Sequence, residues 1–104
     1  MQIQFNTDNH IKGSEKLQEN LRSLIAAPLE RFSSRLTRIE VHLNDENSIK
    51  GGGDDKRCML EARIEGMQPI AVTNFGDTLE NAVRGAVDKL KAALDTAIGK
   101  LRNY

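Results

Sequence analysis

The chain has one cysteine, so no internal disulfide can form, and that suits a reducing compartment. It has no excess of charge either: fifteen Lys and Arg stand against fifteen Asp and Glu, a formal net charge of zero. The chain as a whole therefore exerts no pull on nucleic acid, and any such binding must come from a local patch. No stretch approaches the roughly 18 apolar residues a membrane span needs, and the opening MQIQFNTDNH has neither the basic start nor the apolar run of a secretory leader. The expected address is cytoplasmic, with no membrane partner. No Pro/Ser-rich tract and no internal repeat interrupts the sequence, which argues against disorder or a solenoid. At 104 residues, 38% apolar and 29% charged, the sequence fits one domain over 1–104. A domain of that size buries roughly two thirds of the surface its unfolded chain exposes.

What is present alternates between two periods. In QIQFN, Ile3 and Phe5 alternate with polar neighbours, the period of a half-buried strand. Leu17, Leu21, Leu24, Ile25, Leu29 and Phe32 then recur at steps of three and four on one face of a helix, with Ser14 as its expected N-cap. Pro28 falls inside that pattern, where it lacks a backbone donor and crowds the preceding turn, so a kink or an interruption is expected there. TRIEVHL returns to period two, with Ile39, Val41 and Leu43 on one side and Arg38, Glu40 and His42 on the other. RCMLEARIE repeats the alternation and places Cys58 in phase with Leu60, Ala62 and Ile64. GMQP turns the chain into IAVTN, whose Pro69 can only begin a strand or lie on an edge. Residues from Leu79 to Leu101 repeat as a long amphipathic helix entered through Asp77 or Thr78. The predicted fold is α+β in the order βαβββα: a four-stranded sheet with two helices packed on one face.

The stretch IKGGGDDKRCM raises the question of chemistry. A phosphate loop needs its glycines to close on Lys-Ser/Thr at a helix start, but here Asp54, Asp55 and a strand follow. A calcium loop needs oxygen ligands at alternating positions, and Ile49 and Lys50 break that spacing. A reactive Cys58 beside Lys56 and Arg57 is the remaining chemical option, and its inward phase points instead to a small core residue. The segment reads as a mobile acidic connection between antiparallel strands. His10 and His42 have no second ligand at metal spacing and read as solvated surface residues, and no catalytic triad order or paired-carboxylate motif stands out. No cofactor, metal, small-molecule substrate or enzymatic activity is expected.

Charge placement is the remaining signal. Between His10 and Ile39, Lys12, Lys16, Arg22, Arg31, Arg35 and Arg38 face only Glu15, Glu19 and Glu30, a local excess of three positive charges. Asn44 to Lys56 is acidic on balance, and the final helix interleaves Arg84, Lys89, Lys91, Lys100 and Arg102 with acidic residues that include Asp88 and Asp95. On pattern alone such mixtures describe solvated faces.

The runs RLTRIEVHL, DKRCMLEARIEG and PIAVTNFGDTLENAVRGAVDKLKAAL resemble the ribosome hibernation-promoting factor and protein Y family, also labelled sigma-54 modulation proteins. The likeness spans nearly the whole chain. It is most specific in Asp77, Ala82, Val83, Val87, Asp88, Lys89, Leu90 and Leu94, which match that family's pattern at the last strand and helix. The resemblance implies a fold similar to double-stranded RNA-binding domains. It further implies a partner, the small ribosomal subunit with its rRNA and ribosomal proteins, bound where mRNA and tRNA lie so that idle ribosomes stay silent during stress or stationary phase. By position it assigns rRNA contacts to Arg31, Arg35, Arg38 and Lys89, and Arg22, Lys91 and Lys100 join them from the same basic stretches. Lys and Arg suit that task because phosphate contacts and counterion release need no base reading. The chain departs from the family at Ala92 and Thr96, where relatives often carry basic residues, and in its longer GGGDD loop. The resemblance implies the short form, and the C-terminal domain by which long members pair ribosomes is not expected. The other class left open is a protein-interaction module of the same fold with a reduced rRNA surface. A contiguous positive helix face would favour ribosome binding, and alternation of charge would favour the module.

Overall fold

The computed structural model describes residues 1–7, 15–45 and 56–102, with side chains up to residue 99. Strand β1 (Gln2–Thr7) leads to helix α1 (Glu15–Leu29), then to a 3₁₀ turn (Glu30–Phe32) and strand β2 (Leu36–Asp45). Strands β3 (Lys56–Ile64) and β4 (Ile70–Gly76) follow, and helix α2 (Leu79–Arg102) closes the order. The sheet runs β1-β2-β3-β4, with β1 parallel to β2 and the other pairs antiparallel. The parallel pair requires the crossover that α1 supplies, whereas β2 with β3 and β3 with β4 pair antiparallel and need no such crossover.

Strand register explains the core. Phe5, Val41, Leu60 and Val72 lie side by side across all four strands, and Ile3, Ile39, Ala62 and Ile70 form the next row. Both rows face the helices, because Leu21, Ile25 and Leu29 of α1 and Val83, Leu90 and Leu94 of α2 are buried in one cluster with them. The predicted architecture, both helices on one face, is what the chain adopts. The opposite rows, such as Gln4, Glu40, Glu61 and Ala71, form an open polar face.

Pro28 acts where the sequence placed it. The α-helix ends one residue later and the chain tightens into the 3₁₀ turn, where Ser33 donates to the Glu30 carbonyl (3.0 Å) and Arg35 to that of Phe32 (2.9 Å). Phe32, expected on the helical stripe, is buried from the 3₁₀ turn instead. Strand β2 starts one residue earlier than the alternation suggests, through a bulge: Leu36 pairs with Ile64 and Arg38 with Arg63, so Thr37 is the extra residue and its hydroxyl donates to the Arg63 carbonyl at 3.1 Å. Pro69 immediately precedes β4, itself an edge strand, as a missing donor requires. At the start of α2 the cap is Thr78, whose Oγ1 accepts from the Asn81 backbone at 3.1 Å, while Asp77 accepts from the Asn81 side chain at 2.7 Å. Ser14 and the glycines of GGGDD lie outside the described residues. Asp45, the last residue of β2, and Lys56, the first of β3, form an ion pair at 3.4 Å.

Cys58 is fully buried in the row that contains Leu43. Burial pushes its thiol up to about 12, with the Arg57 charge opposing only in part. It is a core residue and not a nucleophile. Cys58→Ala is expected to cost about 1–2 kcal/mol through lost buried volume, measurable by denaturant unfolding, and native Cys58 should resist thiol reagents. Rapid labelling of the folded protein would contradict that placement.

Candidate nucleic-acid interface

The cationic side chains singled out in the sequence fall on separate parts of the surface. Arg31 and Arg35 converge. The 3₁₀ turn and the bend after it carry them to the C-terminal half of α2, where Arg31, Phe32, Ser34, Arg35, Asp95, Ile98 and Gly99 line a cleft of about 270 Å³. Arg31 Nη2 meets Asp95 Oδ2 at 2.7 Å, and its guanidinium lies 4.5 Å from the centre of the Phe32 ring. Arg35 is held by its backbone, donating to the Phe32 carbonyl at 2.9 Å and accepting from Glu65 N–H at 3.0 Å. Its exposed side chain has no hydrogen-bond or ion-pair partner among the described residues.

Arg38 sits elsewhere. It is in register with Arg63 on the open face, opposite the helices, and binds Glu40 at 3.2 Å. Arg63 holds both Glu40 and Glu61, each at 3.2 Å. The Arg63 hydrogen bond, helped by the Arg38 charge and opposed by partial burial, keeps the Glu40 carboxyl below the ordinary carboxylate range. Arg38 and Arg35 are close in sequence, yet Arg38 belongs to this network and not to the cleft. His42 is half-buried on the same open face, level with Met59; His10 lies outside the described residues.

Arg22 and Lys89 serve the two edges of the sheet. Arg22 Nη1 donates to the Ile3 carbonyl of β1 at 3.1 Å, with its guanidinium 5.3 Å from the centre of the Phe5 ring. Lys89 Nζ donates to the Thr73 carbonyl of β4 at 2.8 Å. A cation on an edge carbonyl blunts pairing with another strand, so both side chains have a structural task. Lys91 is half-buried with no polar partner among the described residues. Lys100 lies in α2 with its side chain outside the described set.

Along α2, Arg84, Asp88, Lys91 and Asp95 succeed one another at helical steps on the side toward α1. Arg84 and Asp88 meet Leu24 and Pro28 of α1 in a shallow groove, and Asp95 meets Arg31. That ridge alternates in sign. Asp95 was visible in the sequence only as one of several acids on the helix, and nothing local marked it as the partner of a residue 64 positions away. Among the described residues no group of three or more His, Cys, Asp or Glu side chains is placed to hold a metal, and no helix is long and apolar enough to cross a membrane.

The fold has close counterparts among solved structures. The N-terminal domain of Thermus thermophilus Protein Y superposes with a TM-score of 0.73 at 16% identity, covering 92% of this chain and 98% of that one. A ribosomal subunit interface protein from Coxiella burnetii gives 0.72 at 20% identity, with 95% and 99% covered. In sequence, Protein FAM136A of Xenopus tropicalis is 32% identical over 76 residues, 73% of this chain. The chain spans about half the length of that curated relative, 52%. The family model described as sigma 54 modulation protein / S30EA ribosomal protein matches residues 3–102, nearly the full length, and the chain belongs to that family.

Proposed function

We propose that this protein is a translation-silencing factor that docks on the small ribosomal subunit, in the channel used by mRNA and tRNA, during stress or stationary phase. It acts in the cytoplasm by occupancy and performs no reaction. The family match over residues 3–102 carries the reading. The cleft of Arg31 and Arg35 supplies the contact surface, since two guanidiniums beside a hydroxyl suit the phosphates of a folded RNA and need no base sequence. Lys91, with no polar partner among the described residues, adds a cation on the same side of α2. The test is co-sedimentation with purified small subunits across a salt series. Binding should be strong at low salt, and log affinity should fall with log salt by roughly 0.9 for each phosphate neutralised. Absence of association at the lowest salt sinks the reading.

A second reading, a protein-interaction module, draws on the alternating ridge of Arg84, Asp88, Lys91 and Asp95 and on the internal engagement of Arg22, Arg31, Arg38 and Lys89. It predicts no association with the subunit at any salt.

A further inference from the structure

The Arg31–Asp95 pair has features of a ligand contact made internally. Both side chains are about half exposed, 57% and 51%, so the pair is not needed to neutralise a buried charge. The guanidinium is already oriented, lying over the Phe32 ring at 4.5 Å, and the carboxylate reaches it from inside the cleft. Arg35 lines the same cleft with its side chain unpartnered among the described residues and its backbone fixed on both sides. The Ser34 side chain adds a hydroxyl to the lining, and open space surrounds Gly99, where an added Cβ would meet nothing within 4 Å. Among the described residues the cleft therefore holds two guanidiniums, one hydroxyl and a single carboxylate, with Phe32 and Ile98 beneath.

Carboxylate and phosphate present the same feature to a guanidinium: two anionic oxygens spaced for its paired donors. We infer that the cleft is a subsite for one backbone phosphate of RNA, and that Asp95 is its stand-in, holding Arg31 in the free protein and giving it up when the phosphate arrives. This rests on the ribosome-binding reading above and adds to it a named subsite and a built-in competitor. Arg35, unpaired, meets the phosphate first; Arg31 completes the clamp by exchanging one anion for another. Because the Arg31–Asp95 pair is solvent-exposed, the exchange costs little, and the carboxylate left beside the phosphate is the main opposing charge. Asp95 thereby weakens binding while keeping Arg31 in place.

The test is the affinity of the full chain for purified small subunits and for a duplex RNA of arbitrary sequence, at low and at high salt. Asp95→Asn should bind both about fivefold more tightly at low salt, a gain on the scale of one exposed ion pair, and the gain should shrink as salt rises. In an Arg31→Gln background the same substitution should gain much less, because the anion it removes no longer competes for that guanidinium. Inorganic phosphate at matched ionic strength should compete weakly, as a lone anion lacks the neighbouring contacts of a chain. If the wild type binds and Asp95→Asn binds equally or more weakly, the subsite is refuted while the ribosome reading stands. An equal gain with and without Arg31 shows an effect of net charge alone and refutes it as well. If the wild type binds neither subunits nor RNA, the ribosome reading itself fails. Thermal melting of each variant, with Asp95→Ser as a second replacement, separates impaired folding from changed binding.

Discussion

Gly76→Ala is expected to lower stability by about 3 kcal/mol, the upper range for an overpacked site, and the melting temperature by roughly 15 °C for a domain of this size. A Cβ at Gly76 would lie 2.6 Å from the Ala82 nitrogen and 3.0 Å from its Cα, and both are backbone atoms. That stretch of α2 cannot retreat cheaply. Ala82 N–H is bonded to the Thr78 carbonyl at 3.0 Å, and Thr78 in turn caps the helix. Moving α2 away from β4 would therefore break the first turn and open the apolar layer beneath Val83 and Ala86. Two glycines of α2 calibrate the effect. At Gly85 an added Cβ runs into the side-chain amide of Asn74, which can rotate but only by giving up its hydrogen bonds to the Ala82 and Phe75 carbonyls, each 3.2 Å. Gly85→Ala should therefore be intermediate. Gly99 has open space around it on the helix, so Gly99→Ala should be neutral or stabilising by up to about 1 kcal/mol, from helix propensity. Denaturant unfolding of the three variants should return that order. A Gly76→Ala protein that unfolds at the wild-type midpoint would show that strand and helix do not meet as described.

Asn74 also shows where sequence reasoning stops. Period-two alternation identified Ile39, Val41, Leu43, Cys58, Leu60, Ala62 and Ile64 as one buried face, because each strand has one face in the core and one outside it. Asn74 continues the inward phase of β4, beside Cys58, yet it is polar. Its role depends on the Ala82 carbonyl and on the missing side chain of Gly85, neither of which local pattern connects to it. The bulge at Thr37 was hidden for a similar reason: it resets the phase between Leu36 and Ile39, and only the pairing to β3 shows it. The candidate site was legible to the extent that local geometry decides it. Arg31 and Arg35 come from one short turn and share a cleft. Arg38, three residues further on, has crossed into a strand, where its parity sends it to the opposite face. Arg22 and Lys89 lie on helices as expected, and each donates to a backbone carbonyl of an edge strand, β1 or β4. Tertiary placement, not composition, decides which of the cations share a surface.

The double reversal Arg31→Glu and Arg35→Glu is the sharpest test of the proposed ribosome-binding surface. If the two guanidiniums contact phosphate, each reversal removes a charge-assisted hydrogen bond of about 1.5–3 kcal/mol and places a carboxylate against the RNA, so the pair should weaken subunit association by at least about a hundredfold. The log–log salt slope should fall by roughly one, for the single phosphate that the two guanidiniums no longer neutralise. Folding should be little affected. The Arg31–Asp95 pair is exposed and of a kind that contributes at most about 1 kcal/mol, and Arg35 has no side-chain partner to lose among the described residues. A change of similar chemistry outside the cleft supplies the control. Arg63→Gln removes a cation from the open face of the sheet, where it binds Glu40 and Glu61, and should leave subunit affinity within about twofold while lowering stability slightly. Lys89→Gln should likewise spare binding, because the Lys89 ammonium is tethered to the Thr73 carbonyl of β4 and does not line the cleft. If instead the double reversal co-sediments with small subunits at wild-type affinity and Lys89→Gln does not, the RNA-facing surface is the β4 side of α2 and the cleft beside Asp95 has no part in it.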